Sequence, residues 1–250
     1  MAMFLLVHGA SHGAWCWDRL REHLSALGHT AIAPDLPALG GRGESAAAVS
    51  LESYVDSLVK TLDGQAGPVV VVGHSMGGLS AAGLAAREPA KVEALVFLTA
   101  DSPIDGDSVM SLMMADATSV IGEATEPVQD GAAVVIKQDR IIPLFYNDCS
   151  PADAEAARAK LCPEPMAPLI QPIDLKAEVY QAVPKFFIGC SEDKVISLAY
   201  QRHMSERSGC VWYGTLASGH SPFLSMPGEL AALLSELASR LPKESPARVA

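Results

Sequence analysis

The sequence predicts an α/β protein in which helices cover both faces of a mostly parallel β-sheet. Three observations predict this fold class: short apolar runs, amphipathic stretches of helical period, and the alternation of the two along the chain. The apolar runs are unbroken, which is typical of strands that are buried on both faces. Alternating strands and helices favour parallel pairing through right-handed crossovers.

The individual elements follow from apolar patterning and from residues that begin or end a segment. A helix with Trp17, Leu20 and Leu24 on one face is expected to stop at Gly28, because glycine readily adopts the conformation that ends a helix. Ser50 is expected to cap the N-terminus of the next helix. We expect strands at 4–7, 30–33, 69–72, 94–99, 185–189 and 210–213, and later helices at 150–161 and about 227–241.

The pattern changes after Asp101. Between 102 and 183, only 132–136 resembles a buried strand, and methionines and prolines are frequent. A segment of this length is too long for a plain loop. We therefore predict a mostly helical cap over 102–183, inserted after the strand that ends near Thr99. The core is then formed by 1–101 and 184–250.

Charge, cysteine content and hydropathy limit which partners and which cellular location are expected for this chain. The 250 residues carry a net charge of −11 with scattered basic residues, which argues against nucleic acid and anionic membranes as partners. Five cysteines without a CxxC pair favour reduced thiols. The N-terminal residues do not have the pattern of a signal peptide, and no apolar run reaches membrane-spanning length. We expect a cytoplasmic protein that acts on a small molecule, with homodimer formation left open.

One stretch carries a specific chemical signal. Four valines at 69–72 are followed by Gly73-His-Ser-Met-Gly77 and then by a helical pattern. A G-x-S-x-G motif between a buried strand and a helix is the pattern of a nucleophile elbow, in which flanking glycines tolerate a strained serine. Ser75 is therefore the predicted nucleophile. The alternative is a glycine-rich turn with an incidental serine.

A serine nucleophile requires a general base. The order expected for an elbow enzyme is nucleophile, acid, histidine, and of seven histidines only His203 and His220 follow Ser75. His220 lies in a loop of small residues between the last predicted strand and the final helix, so we predict that it is the base. A helix-capping role is its alternative. His203 lies among polar residues on an expected solvent-exposed helix face.

Two carboxylates are candidates for the acid that orients the base. Asp193 follows a predicted strand directly and precedes His220, and it is favoured. Asp101 follows the preceding strand and is the alternative. The neighbouring Glu192 is expected to point away on the turn.

The tetrahedral intermediate of acyl transfer needs two backbone N–H donors. We expect one from Met76, directly after the nucleophile, and one from Ala10 in the loop after the first strand. Four residues are expected to bind substrate, with packing inside the cap as the alternative for the last three: Ser11, Leu112, Phe145 and Tyr146. No metal-ligand cluster and no phosphate-binding glycine motif is present in the sequence, so neither a metal nor a cofactor is expected.

Several segments together resemble one branch of the α/β-hydrolases, the branch of plant methyl-ester esterases and hydroxynitrile lyases. The segments that carry the resemblance are 8–17, 28–29, 72–78 and 191–196, with 150–153 and 162–165 in the cap. The resemblance implies an α/β-hydrolase fold. It also implies a triad of Ser75, Asp193 and His220 with Ala10 and Met76 as oxyanion donors.

The resemblance also discriminates between the two activities of the branch. Its lyases place a threonine after the first-strand histidine and a lysine after the catalytic histidine, where this chain has Gly9 and Ser221. The chain therefore resembles an esterase that acts on a small, partly apolar aryl or alkyl ester through an acyl-enzyme. Hydroxynitrile lyase, C–C bond hydrolase, and a ligand-binding receptor with weak hydrolysis are the alternatives.

Overall fold

The computed structural model describes residues 1–175 and 177–241, and these contain a six-stranded parallel sheet in the order β2-β1-β3-β4-β8-β9. The strands of this sheet are β1 (Met3–Val7), β2 (Thr30–Ile32), β3 (Val69–Ser75), β4 (Val92–Ala100), β8 (Lys185–Cys190) and β9 (Val211–Leu216). A smaller antiparallel sheet contains β5 (Thr125–Val128), β6 (Ala133–Ile136) and β7 (Glu164–Pro165).

Helices lie on both faces of the parallel sheet. The helices of the described residues, including those of 102–183, are α1 (Asp18–Ala26), α2 (Leu51–Thr61), α3 (Gly77–Arg87), α4 (Val109–Ala115), α5 (Ile121–Ala124), α6 (Gln138–Phe145), α7 (Pro151–Arg158), α8 (Met166–Ile170), α9 (Ala177–Gln181), α10 (Leu198–Arg207), α11 (Pro222–Ser225) and α12 (Pro227–Arg240). Of these, α1 and α12 cover one face and α2, α3 and α10 the other. The prediction of a parallel sheet covered on both faces is confirmed.

The valines of β3 show how an unbroken apolar strand builds two cores. Val69 and Val71 pack with the helices on one face, and Val70 and Val72 pack on the other. Successive side chains of a strand point to opposite faces, so a strand between two helix layers must be apolar at every position. This central strand pairs with β1 and β4 and carries Ser75 to the carboxyl edge of the sheet.

Two predicted helix signals are confirmed. The Ser50 hydroxyl accepts a hydrogen bond from the Ser53 N–H at 3.1 Å and caps α2. Gly28, beyond the end of α1, has a φ of +81°, a left-handed conformation that disfavours other residues.

The cap segment, residues 102–183, contains helices and the small antiparallel sheet in its described part. The expected strand at 132–136 is β6. Its partners β5 and β7 were not predicted, because β5 is four residues long and contains a proline and β7 has only two residues. The division into core and cap remains a prediction, and residues 242–250 of the predicted core lie outside the described residues. None of the described helices has the length and hydropathy needed to cross a membrane.

Candidate active site

Ser75 lies at the turn between β3 and α3. Its φ is +51°, a left-handed conformation that costs free energy for a residue with a Cβ and marks a sharp turn. The turn needs glycine at both flanks. A Cβ on Gly77 would lie 2.5 Å from the His8 carbonyl oxygen, and a Cβ on Gly73 would lie 2.9 Å from the Gly77 carbonyl oxygen.

Asp193 and His220 form a buried hydrogen-bonded pair at the same edge of the sheet. The His220 ring donates from Nδ1 to Asp193 Oδ2 at 2.7 Å, and both side chains are fully buried. The other oxygen, Asp193 Oδ1, accepts the N–H groups of Val195 at 2.6 Å and Ile196 at 3.1 Å. The Thr99 hydroxyl also donates to Asp193 Oδ2. These contacts orient the carboxylate and place the His220 proton on Nδ1.

The remaining ring nitrogen of His220 has the properties of a base. With Nδ1 protonated, Nε2 carries the lone pair. His220 Nε2 is buried and has no hydrogen-bond partner among the described residues, so the hydrogen bond to Ser75 is not formed in this structure. Such contacts are often long in unliganded enzymes and tighten when substrate binds.

His74 connects the turn at Ser75 to the loop that carries His220. Its Nε2–H donates to the His220 carbonyl oxygen at 2.8 Å, and the two ring centroids are 4.7 Å apart. Burial, with a smaller contribution from His220, lowers the pKa of His74 well below its usual value. A neutral His74 therefore positions the His220 backbone without adding a competing positive charge.

The loop after β1 lies directly against the elbow. A Cβ on Gly9 would lie 2.8 Å from Ser75 Cβ, so only glycine permits this approach. Ala10 and Met76 line the same cavity as Ser75, and neither of their N–H groups donates a hydrogen bond to a described residue. Two unused backbone donors therefore lie beside the serine.

The peptide unit that follows Ala10 is held at both ends. His12 donates from Nδ1 to the Ala10 carbonyl oxygen at 2.7 Å, and the Ser11 N–H donates to Glu164 Oε2 at 2.7 Å. The Ser11 carbonyl oxygen accepts the Cys162 N–H at 3.0 Å. Ser11 has a φ of +62°, so these contacts hold a strained residue in place.

The partners of this peptide unit are themselves buried and bonded. Glu164 Oε1 accepts the Tyr54 hydroxyl at 3.0 Å, and burial raises the pKa of Glu164 to about 8. His12 Nε2 accepts the Tyr146 hydroxyl at 2.8 Å, and burial lowers the pKa of His12 to about 3. His12 is therefore neutral at physiological pH, with its proton on Nδ1.

A cavity of about 360 Å³ opens onto Ser75 beneath the cap segment. Its wall is mainly apolar, with methionines and aliphatic residues from α4, α5 and α8, and Phe145 from α6. A small organic molecule fits a cavity of this size and composition. In the part of the chain that the structure describes, no three His, Cys, Asp or Glu side chains converge to hold a metal ion.

The family model of the "Alpha/beta hydrolase family" matches residues 4–233. The chain belongs to this family. The matched range contains every residue of the site described above, and the predicted fold and resemblance are confirmed.

Named relatives place this hydrolase among esterases. It is 31% identical to Methylesterase 7 of Arabidopsis thaliana, over 95% of this chain and 96% of that protein. It is 32% identical to Probable esterase PIR7A of Oryza sativa subsp. indica, over 95% of this chain and 97% of that one. A crystal structure of the methylesterase MES16 from Arabidopsis superposes with a TM-score of 0.81 at 26% identity, covering 96% of this chain and 99% of that one. This hydrolase is an esterase-like member of the family.

The structure places most of the residues singled out in the sequence at one site. Of the predicted site residues, six line the cavity: Ser75, Ala10, Met76, Ser11, Leu112 and Phe145. His220 forms its hydrogen bond with Asp193 and not with Asp101, which is one of the residues that line the cavity. His203 is exposed on α10 and stacks on Tyr200. Tyr146, also expected to bind substrate, is not among the residues that line the cavity, and its hydroxyl binds His12.

Sequence reasoning did not identify Thr99, His12 or Glu164 as parts of this site. Glu164 was the one with a usable signal, because it is the single charged residue between Lys160 and Asp174. A lone charge in an apolar segment indicates a buried group with hydrogen-bond partners. Thr99 and His12 carry no comparable signal.

Proposed function

We propose that this hydrolase cleaves small carboxylic esters through a covalent acyl-enzyme formed on Ser75. The observation that carries the proposal is the buried Asp193–His220 hydrogen bond, which leaves His220 Nε2 as an acceptor without a partner among the described residues. The loop of His220 is bound to His74, the neighbour of the strained Ser75, which lines the cavity. The relatives named as esterases and methylesterases support ester hydrolysis as the reaction.

In the first half of the reaction, Ser75 Oγ attacks the ester carbonyl carbon while His220 Nε2 accepts the hydroxyl proton. Asp193 stabilises the imidazolium through the Nδ1–H bond and holds the ring in place. The carbonyl oxygen becomes an oxyanion, which Ala10 N–H and Met76 N–H stabilise by about 3 kcal/mol each. The intermediate collapses, and His220 returns the proton to the departing alcohol.

In the second half, water attacks the acyl-enzyme carbonyl carbon. His220 accepts a proton from the water, and the same two N–H groups stabilise the second oxyanion. The bond to Ser75 Oγ then breaks, His220 returns the proton to the serine, and the carboxylic acid leaves. No cofactor or metal ion takes part in this sequence.

The substrate class follows from the cavity. Its volume of about 360 Å³ and its apolar wall fit an aryl or alkyl acid of modest size. Relatives named methylesterases support a methyl ester, in which the departing alcohol is small.

The test compares initial rates on p-nitrophenyl acetate, p-nitrophenyl butyrate and methyl phenylacetate. Ser75→Ala is expected to lower kcat by about a thousandfold or more. Ser80→Ala is the matched control, because Ser80 is a buried serine of α3 that does not line the cavity. Full turnover of these esters by Ser75→Ala would contradict the proposal. Cyanide release from mandelonitrile without ester cleavage would favour the lyase instead.

A further inference from the structure

Asp101 is a buried acid that the proposed reaction does not use. It directly follows β4, and its N–H donates to the Ser75 carbonyl oxygen at 3.1 Å, so it lies beside the nucleophile. The residue is 7% exposed and lines the cavity. Its carboxyl makes no hydrogen bond and no ion pair with any described residue.

The other two acids on the cavity wall differ from Asp101 in this respect. Asp116 accepts hydrogen bonds from Thr118 and Ser197, and Glu164 accepts them from Ser11 and Tyr54. Their oxygens are therefore satisfied by the protein itself. No lysine or arginine is among the described residues of the wall. The Asp101 carboxyl is therefore open to a partner on the molecule that occupies the cavity, and the interaction with His220, which favours the ionised carboxylate, is smaller than the effect of burial.

The burial of the Asp101 carboxyl indicates what kind of partner would stabilise it. A buried carboxyl without a partner is destabilising, and burial raises the pKa of Asp101 to about 7. A bound cation would favour the ionised carboxylate and remove this penalty. Phe145 and Tyr200 also line the cavity, and aromatic faces attract cations such as quaternary ammonium groups.

We propose that Asp101 recognises a cationic nitrogen on the substrate, so that the preferred esters carry a protonated amine or a quaternary ammonium group in the acyl part. The hydrolytic part of this statement rests on the proposed function, whereas the recognition of a cation does not.

The test uses two methyl esters of the same shape. One is the methyl ester of γ-(trimethylammonio)butyric acid, and in the other a tert-butyl group replaces the trimethylammonium group. The wild type is expected to prefer the cationic ester in kcat/KM. Asp101→Asn, which keeps the shape and removes the charge, is expected to lower this preference about tenfold. Asp130→Asn is the matched control, because Asp130 is exposed and does not line the cavity, and it is expected to keep the wild-type preference.

A second measurement does not depend on turnover. Calorimetric titration of the Ser75→Ala protein with the cationic ester is expected to give a Kd about tenfold lower than titration of Ser75→Ala/Asp101→Asn. Asp101→Ser replaces Asp101→Asn if the latter does not show a cooperative thermal transition.

Two outcomes distinguish a failure of cation recognition from a failure of the proposed ester hydrolysis. An unchanged ester preference and an unchanged Kd in the Asp101 variants would overturn cation recognition, even if both esters are hydrolysed. Binding of the cationic ester that depends on Asp101, without hydrolysis of either ester, would support recognition and overturn the esterase.

Discussion

His12 and Glu164 bind the two ends of one peptide unit, the carbonyl oxygen of Ala10 and the N–H of Ser11. Both contacts are 2.7 Å long. A peptide unit is planar, so fixing both ends fixes its plane and restricts the adjoining Ala10 N–H. His12 belongs to the same loop, whereas Glu164 comes from the cap segment. The peptide unit next to the proposed oxyanion donor is therefore held jointly by the loop and by the cap segment.

Replacing Glu164 should reduce catalysis more than binding. Glu164→Leu removes the acceptor of the Ser11 N–H, and we expect kcat for p-nitrophenyl acetate to fall by about ten- to a hundredfold with little change in KM. Glu164→Gln should have a smaller effect, because its amide oxygen still accepts the Ser11 N–H and its NH₂ group can donate to Tyr54. Steady-state kinetics measure both parameters.

Glu126→Gln serves as the control for these variants, because Glu126 is an exposed acid on β5 in the same segment. A rise in KM with an unchanged kcat in Glu164→Leu would show that Glu164 shapes the cavity and does not position the loop.

Glu164 should also make stability depend on pH. Burial raises its pKa from 4.5 to about 8 in the folded protein. The folded state then retains a proton that the unfolded state has lost, so the contribution of Glu164 to stability is fully present below pH 4.5 and is lost as pH rises toward about 8. The slope from one group is at most about 1.4 kcal/mol per pH unit. Urea unfolding of wild type and Glu164→Gln between pH 5 and pH 9 measures the difference, and parallel curves would contradict this assignment.

Thr99 should contribute to catalysis through Asp193. Its buried hydroxyl donates to the same carboxylate oxygen that accepts the His220 Nδ1–H. Thr99→Val keeps the shape but removes the donor, and we expect kcat to fall about tenfold, the equivalent of one hydrogen bond to a charged group. Thr99→Ser retains the hydroxyl and should restore most of the activity. Equal losses in both variants would indicate a packing effect.

Gly9→Ala should impair activity through contact with the nucleophile. Its new Cβ would lie 2.8 Å from Ser75 Cβ and 2.9 Å from His74 Nδ1, so the loop must move away from the elbow. We expect kcat/KM to fall by about a hundredfold or more, as for a misplaced reacting group. Gly43→Ala is the control, because a Cβ there has no atom within 4 Å. Comparable activity in the two variants would disprove the close approach.

The fold and the strand–turn–helix geometry around Ser75 could be predicted because their signals are local. Unbroken apolar runs identified the strands, and the placement of Ser75 between a strand and a helix identified the elbow. The contacts that orient those side chains could not be predicted in the same way. Ser11 and Glu164 are separated by 153 positions, and Thr99 and Asp193 by 94. Patterns within one element contain no information about such pairs. The hydrogen bond between Tyr146 and His12, which are 134 positions apart, could not be foreseen for the same reason.

The hydrogen bond between the Ser11 N–H and Glu164 distinguishes two groups of residues in the cap segment by what they contact. Cys162 holds the loop beside Ser75 through its backbone N–H, and Glu164 does so through its carboxyl, so we expect a change of Glu164 to affect every ester. A second group lines the cavity and consists of residues of α4 and α5 together with Phe145. Among the described residues, this group makes no hydrogen bond to that loop. We therefore expect exchanges in this second group to change which ester is accepted, while the contact of Glu164 with the loop is kept.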